Sequence, residues 1–327
     1  MNEKKIAVIG VGGRTGTMFA FELSRIADVL GVGREINKKI LVSRGRNNSS
    51  PLNCRIIKDS QWLPEDFLPD MIFLATRNPV GPVLKYYYQK CKERNVFPDL
   101  VLSQNGIQAG EEAINALKEI LGSDFYKVRI VRISLFNPID RQEKEQVVEV
   151  NYSLPIRLSF GIISGSQDSR DINSLFHQAG FQFKGFAKEG VKSMEASKLF
   201  FNLMGIASAS RGLSVQKGFE NKDSFREEVM VLKEYVRAIK AAGHSFINFP
   251  SYPVKTLSFL IEILPVKILL PFRKYFAKII AKGREGKPKD LSEINYYNGV
   301  VVNLGEKTGI STSVNKKVVQ RVLDNNK

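Results

Sequence analysis

The chain has 327 residues, of which 43% are hydrophobic and 25% charged, and this composition excludes an intrinsically disordered protein. Its length exceeds that of most single domains, so we predict two domains. Two cysteines and the lack of an export signal exclude a disulfide framework and predict a cytoplasmic protein. The net charge of +16 comes from scattered basic residues without a recognisable nucleic-acid module, so we predict no nucleic-acid partner.

The first predicted element is a strand over residues 5–9, a continuous apolar run that is typical of a parallel strand buried on both faces. A glycine-rich turn over residues 10–16 follows, and apolar residues at helical spacing over 18–27 predict a helix. Residues 28–34 form the next predicted strand. This order of strand, tight turn, helix and strand predicts the start of a parallel sheet.

Strands alternate with helices along the rest of the first half, which is the pattern of an open parallel sheet of the α/β class. The predicted strands cover residues 71–75, 100–102 and 128–131, and the predicted helices cover residues 79–93 and 110–121. Two β-rich runs follow closely on each other, over residues 145–151 and 157–164. We expect both to append antiparallel strands to the same sheet.

From residue 189 onward every predicted element is a helix, with glycine and proline clusters between the helices. The predicted helices cover residues 189–217, 223–243, 255–281, 291–306 and 313–325. We therefore predict a Rossmann-type, doubly wound domain at residues 1–188 and an all-helical domain at residues 189–327.

Residues 257–280 are strongly apolar, but Glu262, Pro265, Lys267 and Pro271 interrupt the run. Charges and helix-breaking prolines inside the required span exclude a standard transmembrane helix. A packed pair of short helices is the favoured interpretation, and a helix that lies on a membrane surface or binds a partner is the alternative. We expect no transmembrane segment and little peripheral membrane contact.

The turn after the first strand predicts dinucleotide binding. In such turns the first glycine makes the bend, the second admits the pyrophosphate and the third lets the helix pack on the strand. Gly10 and Gly12 fit this pattern, whereas Thr15 stands at the third position and a glycine follows only at Gly16. A turn that needs glycine and binds nothing is the alternative, but the flanking strand and helix favour a dinucleotide. The predicted cofactor contacts in the turn are Gly10, Val11, Gly12, Gly13, Arg14 and Thr15.

The end of the second strand selects the dinucleotide, because an acidic residue there holds a ribose hydroxyl whereas an arginine accommodates a 2′-phosphate. Arg34 stands at this position, and its planar guanidinium suits a phosphate. The sequence therefore predicts NADPH. Two alternatives stay open: Glu35 takes a ribose hydroxyl instead, or residues 40–43 form the true second strand and Arg44 holds the phosphate.

Several later stretches carry a family resemblance: residues 103–107 (SQNGI), 198–202 (KLFFN) and 292–299 (SEINYYNG), the last followed by 309–315 (GISTSVN). Together with the glycine turn and Arg34, and in this order along nearly the whole chain, they resemble the ketopantoate reductase (2-dehydropantoate 2-reductase) family. The resemblance implies NADPH-dependent reduction of a 2-oxo acid, ketopantoate or a related small ketone, to the corresponding alcohol.

The resemblance also implies roles for individual residues. Lys198 matches the family's catalytic lysine, which we expect to act as general acid, and Asn202 follows one helical turn later on the same face. Glu293 matches a glutamate that contacts the hydroxyl end of the substrate. Asn105 matches an asparagine near the nicotinamide and the substrate, and Arg77 stands where the family has a lysine near the cofactor. Each residue has a plain alternative, such as a solvated surface charge for Lys198.

Three positions depart from the family pattern. Ile206 stands where a second asparagine is frequent, Ala281 lies in the region where a serine is expected, and Ser313 replaces the usual proline. We therefore expect intact proton transfer with altered substrate recognition, so a different branched 2-oxo acid or another small ketone remains open as the substrate. The alternative from another class is a non-catalytic dinucleotide-binding protein that docks on a membrane surface or a protein partner. A homodimer is the candidate assembly, and no metal site is expected.

Overall fold

The computed structural model of the chain describes residues 4–34, 37–45, 49–249, 252–280, 286 and 288–325. Its strands are β1 (Lys5–Ile9), β2 (Asp28–Gly33), β3 (Lys39–Arg44), β4 (Ser50–Pro51), β5 (Arg55–Lys58), β6 (Met71–Leu74), β7 (Asp99–Leu102), β8 (Ile130–Leu135), β9 (Ile139–Lys144), β10 (Val147–Tyr152), β11 (Arg157–Ser164) and β12 (Gln182–Phe186).

The α-helices are α1 (Arg14–Leu23), α2 (Gly81–Glu93), α3 (Ala109–Leu121), α4 (Arg170–Gln178), α5 (Lys188–Leu203), α6 (Ile206–Ala209), α7 (Val215–Glu220), α8 (Lys222–Ala241), α9 (Val254–Ile263), α10 (Val266–Leu269), α11 (Arg273–Ile280), α12 (Asn298–Thr308) and α13 (Ser313–Asp324). Short 3-10 helices cover Asp59–Gln61, Gly122–Lys127, Leu270–Phe272 and Ile294–Tyr296.

The main sheet has the strand order β12-β11-β8-β7-β6-β1-β2-β5. Neighbouring strands run parallel, except that β11 pairs antiparallel with β8. From β1 the chain first adds strands on one side and then returns to add β6, β7 and β8 on the other, which is the doubly wound arrangement. The predicted α/β fold is thus confirmed. Because the order reverses between β1 and β6, ligands are expected at the carboxyl ends of these two strands.

The main sheet is covered on both faces. Alternate residues of β1 belong to two different hydrophobic clusters, Ile6 and Val8 to one, Ala7 and Ile9 to the other. The continuous apolar run that predicts this strand is therefore explained by burial on both sides. Such packing fixes the end of β1, where the glycine turn begins.

A second sheet has the order β4-β3-β10-β9. Strand β11 confirms that residues 157–164 extend the main sheet antiparallel, but the same prediction for residues 145–151 is wrong. Strand β10 pairs parallel with β3 and antiparallel with β9 instead. Its burial alternates from residue to residue, whereas consecutive residues of β11 are buried, and only the pattern of β11 suits a sheet covered on both faces. Residues 40–43, the alternative second strand, belong to β3 in this second sheet.

The chain divides into two compact units. Unit 1 comprises Met1–Gln104 and Ala109–Val191, and unit 2 comprises Asn105–Gln108 and Lys192–Lys327. Both sheets belong to unit 1. All named elements in the described residues of unit 2 are helices.

The helices of unit 2 are shorter than predicted. A single helix over residues 189–217 is wrong, because Gly205 has a φ of +88°, and the chain forms α5, α6 and α7 instead. The predicted helix over residues 255–281 is divided among α9, α10 and α11, with interruptions at Pro265 and Pro271. Residues Ile294–Tyr296 form a 3-10 helix, so α12 begins at Asn298, later than predicted. Among the described helices, none is both long enough and apolar enough to cross a membrane.

Candidate active site

The glycine turn begins at the carboxyl end of β1, and its backbone requires glycine at two positions. Gly10 and Gly12 have φ values of +103° and +90°, which lie in the left-handed region that side chains disfavour. A Cβ atom on Gly10 would lie 2.8 Å from the carbonyl oxygen of Ala75, just beyond β6. The turn therefore approaches the loop after β6 at the point where the strand order reverses, and any side chain on Gly10 would fill that space.

Gly16 takes the role of the third glycine, which the sequence pattern expects at Thr15. A Cβ atom on Gly16 would lie 2.3 Å from the carbonyl oxygen of Gly10, so only glycine allows α1 to start this close to the turn. The hydroxyl of Thr17 closes the turn by accepting a 3.0 Å hydrogen bond from the backbone N–H of Gly12. The motif is displaced by one residue without loss of its geometry. The backbone N–H groups at the start of α1 suit a pyrophosphate.

Buried polar atoms lie at the same edge of the sheet. Gln104, which follows β7, donates from Nε2 to the carbonyl oxygens of Leu74 and Thr76, each at 3.1 Å. Its Oε1 and the hydroxyl of Thr76 are buried, and neither has a hydrogen-bond partner in the described part of the chain. Leaving a buried polar atom without a partner costs free energy, which a ligand or a water molecule recovers. These two atoms flank Ala75, which the turn approaches, and they fit a bound dinucleotide.

The structure separates the two arginines that are candidates for a 2′-phosphate. Arg34 directly follows β2, the neighbour of β1 in the main sheet, and is exposed. Arg44 ends β3 in the second sheet, and its Nε and Nη2 donate to the carboxylate of Glu22 at 2.7 and 3.0 Å. Glu22 is 1% exposed, so its charge needs this partner. Arg44 is therefore engaged in a buried ion pair, whereas Arg34 occupies the expected register. Glu35 lies outside the described residues.

Arg141 is a cation that the sequence patterns did not identify. It lies on β9, and its Nε donates a 2.7 Å hydrogen bond to the carbonyl oxygen of Gly12. The two residues are 129 positions apart, and β9 is a run of charged residues without a motif, so no local signal marks Arg141. Arg77, which the resemblance places near the cofactor, is exposed in the loop after β6. Arg141 is also paired with Glu143 at 2.7 Å, so its bond to Gly12 holds the turn more than it adds net charge there.

Unit 2 joins three of the predicted site residues in one series of hydrogen bonds. Asn202 Nδ2 donates to Asn105 Oδ1 at 3.0 Å, and Asn105 Nδ2 donates to the hydroxyl oxygen of Tyr297 at 3.2 Å. The Tyr297 hydroxyl donates to Glu293 Oε2 over 3.4 Å. The four side chains are buried or half-buried. We call this series the Asn202–Glu293 chain, and its donors all point toward the carboxylate.

Gly106 lets Asn105 reach this position. Its φ is +91°, and a Cβ atom there would lie 2.9 Å from the carbonyl oxygen of Tyr296. A larger residue would push residues 105–108 away from the segment that carries Tyr297. The Asn-Gly pair is common in plain loops, but here it holds an amide against a buried tyrosine.

Tyr297 belongs to the matched C-terminal stretch, but the sequence assigned it no role. Burial, and then the charge of Glu293, raise the pKa of Tyr297 above its ordinary value of 10.0. The hydroxyl therefore stays protonated at neutral pH and can donate a hydrogen bond to Glu293. Because the same oxygen accepts from Asn105, Tyr297 connects the amide side chains to the carboxylate.

Two lysines lie along the same part of unit 2. Lys198 is half-buried on α5, four residues before Asn202, so the two side chains share a face of that helix. Lys289, to which the sequence patterns assign no role, donates from Nζ to the carbonyl oxygens of Asn202 and Met204. Its Nζ also lies 5.9 Å from the centre of the Tyr297 ring. Lys289 therefore ties the segment before Glu293 to the end of α5.

The C-terminal part of the family resemblance, residues 292–299 and 309–315, has a structural basis. Asn298 Nδ2 donates to Asn315 Oδ1 at 2.9 Å, and Asn315 Nδ2 donates to Glu234 Oε2 at 2.8 Å. Both asparagines are fully buried. These bonds join α12, α13 and α8, and α12 begins directly after Tyr297. Ser313, where the family usually has proline, adds a 3.4 Å hydrogen bond to Glu234.

The other departures from the family pattern differ in what the structure shows of them. Ile206 is fully buried at the start of α6 and offers no polar group. Ala281 lies outside the described residues. In the described part of the chain, no group of three His, Cys, Asp or Glu side chains is placed to hold a metal ion.

Neither a protein-family model nor a curated protein sequence matches this chain. Solved structures match it over almost its whole length. The 2-dehydropantoate 2-reductase of Geobacter metallireducens is 16% identical with a TM-score of 0.69, over 98% of this chain and 99% of that one. The ketopantoate reductase of Ralstonia eutropha is 15% identical with a TM-score of 0.70, over 97% of both chains. A ternary complex of D-mandelate dehydrogenase with NADH and anilino(oxo)acetate is 13% identical with a TM-score of 0.66, over 98% of this chain and 97% of that one. The chain thus has the fold of the ketopantoate reductases, as the resemblance in its sequence predicts.

Proposed function

We propose that this protein reduces a small 2-oxo acid to the corresponding 2-hydroxy acid with NADPH. The observation that carries the proposal is the Asn202–Glu293 chain, because it joins three residues that the family resemblance predicts for the substrate site. Their positions lie far apart in the sequence, and a shared turn or motif does not explain why they meet. The fold similarity to ketopantoate reductases and D-mandelate dehydrogenase supports the same class of reaction.

The glycine turn and its surroundings would hold the cofactor. The left-handed glycines leave room for the pyrophosphate, the start of α1 offers N–H groups to it, and the buried Gln104 and Thr76 atoms would gain partners. Arg34 would bind the 2′-phosphate, and Arg77 would add positive charge nearby. The bound nicotinamide supplies a hydride for the carbonyl carbon.

The substrate would be oriented by the amides of unit 2. Asn202 and Asn105 each donate one amide N–H within the Asn202–Glu293 chain, which fixes the orientation of both amides, and these amides would hydrogen-bond the oxygen atoms of the substrate. Glu293 would accept a hydrogen bond from a hydroxyl on the substrate. The buried Ile206 stands where ketopantoate reductases often have an amide. This difference favours a substrate that lacks the polar group which such an amide would bind.

Lys198 would complete the reaction as general acid. Addition of hydride to the carbonyl carbon moves an electron pair onto the oxygen, and the Lys198 ammonium donates the proton that this oxygen needs. Lys198 becomes neutral in this step and regains a proton from solvent. Because Lys198 and Asn202 share a face of α5, the proton donor and an orienting amide are held by one rigid element.

The test is to mix the pure protein with NADPH and either ketopantoate or a panel of branched 2-oxo acids and small ketones. We expect the absorbance of the reduced nicotinamide to fall with at least one of them. A protein that binds NADPH with its normal fold but oxidises it with no member of the panel would contradict the proposal.

The role of Lys198 is tested by Lys198→Ala. We expect kcat to fall by about 10²–10⁴-fold, the range for loss of a general acid, while the Kd for NADPH stays nearly unchanged. Lys192→Ala, which removes an exposed lysine from the same helix, is the matched control and should keep full turnover. Turnover that survives in Lys198→Ala would reject Lys198 as the acid.

A further inference from the structure

Exposed apolar side chains are concentrated in one segment of unit 2. Of the 12 large hydrophobic residues that are exposed in the described part of the chain, seven lie between residues 259 and 279. They are Phe259, Leu260, Ile263, Ile268, Phe272, Tyr275 and Ile279, with exposures from 38% to 64%. We call them the 259–279 surface. Single exposed apolar residues are ordinary, whereas their concentration in one segment of unit 2 points to a binding role for that segment.

Helix α11 shows how this surface is built. Tyr275 and Ile279 are spaced four residues apart and form an exposed apolar row. Lys274 and Lys278 have the same spacing and form an exposed basic row directly beside it. Ala277, at 0% exposure, lies on the packed side of the helix. An apolar row next to a basic row is the arrangement of helices that lie in a membrane interface.

Helix α9 has the same character. Phe259 and Ile263 are four residues apart and exposed, while Val254 and Ser258 are buried. Lys255 lies one turn before Phe259 and is also exposed. Helix α9 is therefore packed through its other side, and about half of the surface of Phe259 and of Ile263 stays exposed.

The charge around the surface is strongly positive. Lys255, Lys267, Lys274 and Lys278 are exposed, and Arg273 is half-buried. Residues 252–280 contain one acidic side chain, Glu262, which forms an ion pair with Lys240. Exposed cations beside exposed apolar side chains favour an anionic partner that is also partly apolar.

We propose that the 259–279 surface docks on an anionic phospholipid membrane. The Phe, Ile and Tyr side chains would enter the boundary between headgroups and acyl chains, and the lysines would contact lipid phosphates with their stems extended along the apolar layer. A second copy of the chain fits less well, because a two-fold interface formed by this surface would enclose two sets of the same lysines. The sequence favours a packed pair of short helices with little membrane contact, whereas the structure forms three short helices, α9, α10 and α11. Our proposal therefore takes up the alternative interpretation of this segment, a helix that lies on a membrane surface.

The first test is co-sedimentation of the full chain with phosphatidylcholine vesicles, with and without about 30% phosphatidylserine, a composition chosen to give a strongly negative surface. We expect binding to the phosphatidylserine vesicles that weakens steadily as salt rises, and little binding to phosphatidylcholine alone. Failure to bind phosphatidylserine vesicles at low salt would overturn the proposal.

Paired variants separate this surface from the general basicity of the chain. Lys274→Gln with Lys278→Gln should weaken vesicle binding by about fivefold for each lysine, whereas Lys316→Gln with Lys317→Gln removes the same charge from exposed positions on α13 and should leave binding nearly unchanged. Equal losses from both pairs would overturn the proposal, because they would show attraction to total charge alone.

The apolar contribution is tested in the same way. Tyr275→Ser with Ile279→Ser should weaken vesicle binding by about tenfold or more, while Tyr126→Ser with Leu323→Ser alters two exposed residues elsewhere and should have no effect. Sedimentation velocity without lipid completes the test. A dimer that dissociates in Tyr275→Ser with Ile279→Ser would assign the surface to a second copy and overturn membrane docking.

Discussion

The glycine turn of unit 1 and the Asn202–Glu293 chain of unit 2 are built in opposite ways. The turn uses consecutive residues, and its shape depends on backbone angles and on space that no side chain occupies. The Asn202–Glu293 chain joins side chains that are 97 and 192 positions apart, and it depends on their functional groups. The turn should therefore be most sensitive to added volume, whereas the Asn202–Glu293 chain should be most sensitive to the loss of single polar atoms.

The largest expected effect comes from adding one methyl group to the turn. In Gly16→Ala the new Cβ would lie 2.3 Å from the carbonyl oxygen of Gly10, so either α1 or the turn must move. We expect a loss of about 2–3 kcal/mol in the free energy of unfolding and no measurable binding of NADPH. Urea unfolding and fluorescence titration with NADPH measure the two effects.

Gly299→Ala is the matched control for this substitution. A Cβ atom there would meet its nearest neighbours at 3.5 Å, an ordinary contact, inside helix α12. We expect a change of less than about 1 kcal/mol in the free energy of unfolding, because alanine favours helix over glycine. Similar losses in both variants would show that the close approach at Gly16 has no special cost.

Arg34→Ala tests the phosphate-binding side of the comparison. Loss of a charge-assisted hydrogen bond to the 2′-phosphate should weaken NADPH binding by about tenfold to a hundredfold, while NADH binding stays nearly unchanged. Arg170→Ala, which removes an exposed arginine elsewhere in unit 1, should alter neither Kd. If Arg34→Ala weakens NADH as much as NADPH, Arg34 does not select the dinucleotide.

Tyr297→Phe removes one oxygen from the middle of the Asn202–Glu293 chain and leaves the ring in place. Asn105 loses an acceptor and Glu293 loses a donor, so both side chains are held less firmly in the orientation that the substrate needs. We expect kcat/KM for the oxo acid to fall by about tenfold, in line with the loss of one or two hydrogen bonds, with an unchanged Kd for NADPH. Tyr126→Phe, at an exposed tyrosine, is the control. An unchanged kcat/KM in Tyr297→Phe would remove the Asn202–Glu293 chain from the substrate site.

Local patterns were sufficient to predict the frame of unit 1. The apolar run of β1 and the glycine turn follow from neighbouring residues, because burial on both faces and left-handed backbone leave direct marks in the sequence. Arg141 left no such mark, since it meets Gly12 from a strand 129 residues away. The pairing of β10 with β3 was missed for the same reason, because the burial of a strand is visible in a sequence but its partner is not.

The side chains of unit 2 were predicted only where a resemblance supplied them. Asn105 and Glu293 have no local pattern that indicates a shared site, and no sequence pattern marks the role of Tyr297, although it connects them. The position of Tyr297 depends on the close approach of Gly106 to Tyr296 and on the hydrogen bond between Asn298 and Asn315. Both contacts join residues that are not neighbours in the sequence. The role of Lys198 remains a prediction from the resemblance and from its spacing to Asn202.

Two acids, the half-buried Asp171 of unit 1 and the fully buried Glu228 of unit 2, should also respond to pH in opposite directions. Burial acts to raise the pKa of Asp171 in unit 1, but hydrogen bonds from Arg129 and Lys4 outweigh it and hold the pKa below its ordinary value of 3.8. In unit 2, burial raises the pKa of Glu228 above its ordinary value of 4.5, against the opposing hydrogen bonds from Ser208 and Gly205. Asp171 is hydrogen-bonded to cations, whereas the hydrogen bonds described for Glu228 come from a hydroxyl and backbone N–H groups, and the charge of Lys289 opposes the rise in its pKa only weakly.

An acid whose pKa is lower in the folded state stabilises the fold above its ordinary pKa, and this contribution is lost as pH falls. An acid whose pKa is raised in the folded state stabilises the fold below its ordinary pKa, and this contribution is lost as pH rises. The stabilising contribution of Asp171 should therefore be present at neutral pH and disappear as pH falls below 3.8. That of Glu228 should be full below 4.5 and decrease as pH rises through its raised pKa. Hydrogen exchange of α4 and α8, measured from about pH 3 to pH 8, reports each unit separately.

The test compares the wild type with Asp171→Asn and with Glu228→Gln. The wild type should protect α4 from exchange more strongly than Asp171→Asn does, and this difference should shrink as pH falls. The wild type should also protect α8 more strongly than Glu228→Gln does, and that difference should shrink as pH rises toward neutral. Glu65→Gln, at an exposed glutamate of unit 1, is the control and should show neither trend. If both differences change in the same direction with pH, then burial does not govern the pKa of Glu228. The two units would then handle their buried acids by the same means, and the contrast between them would be confined to the glycine turn and the Asn202–Glu293 chain.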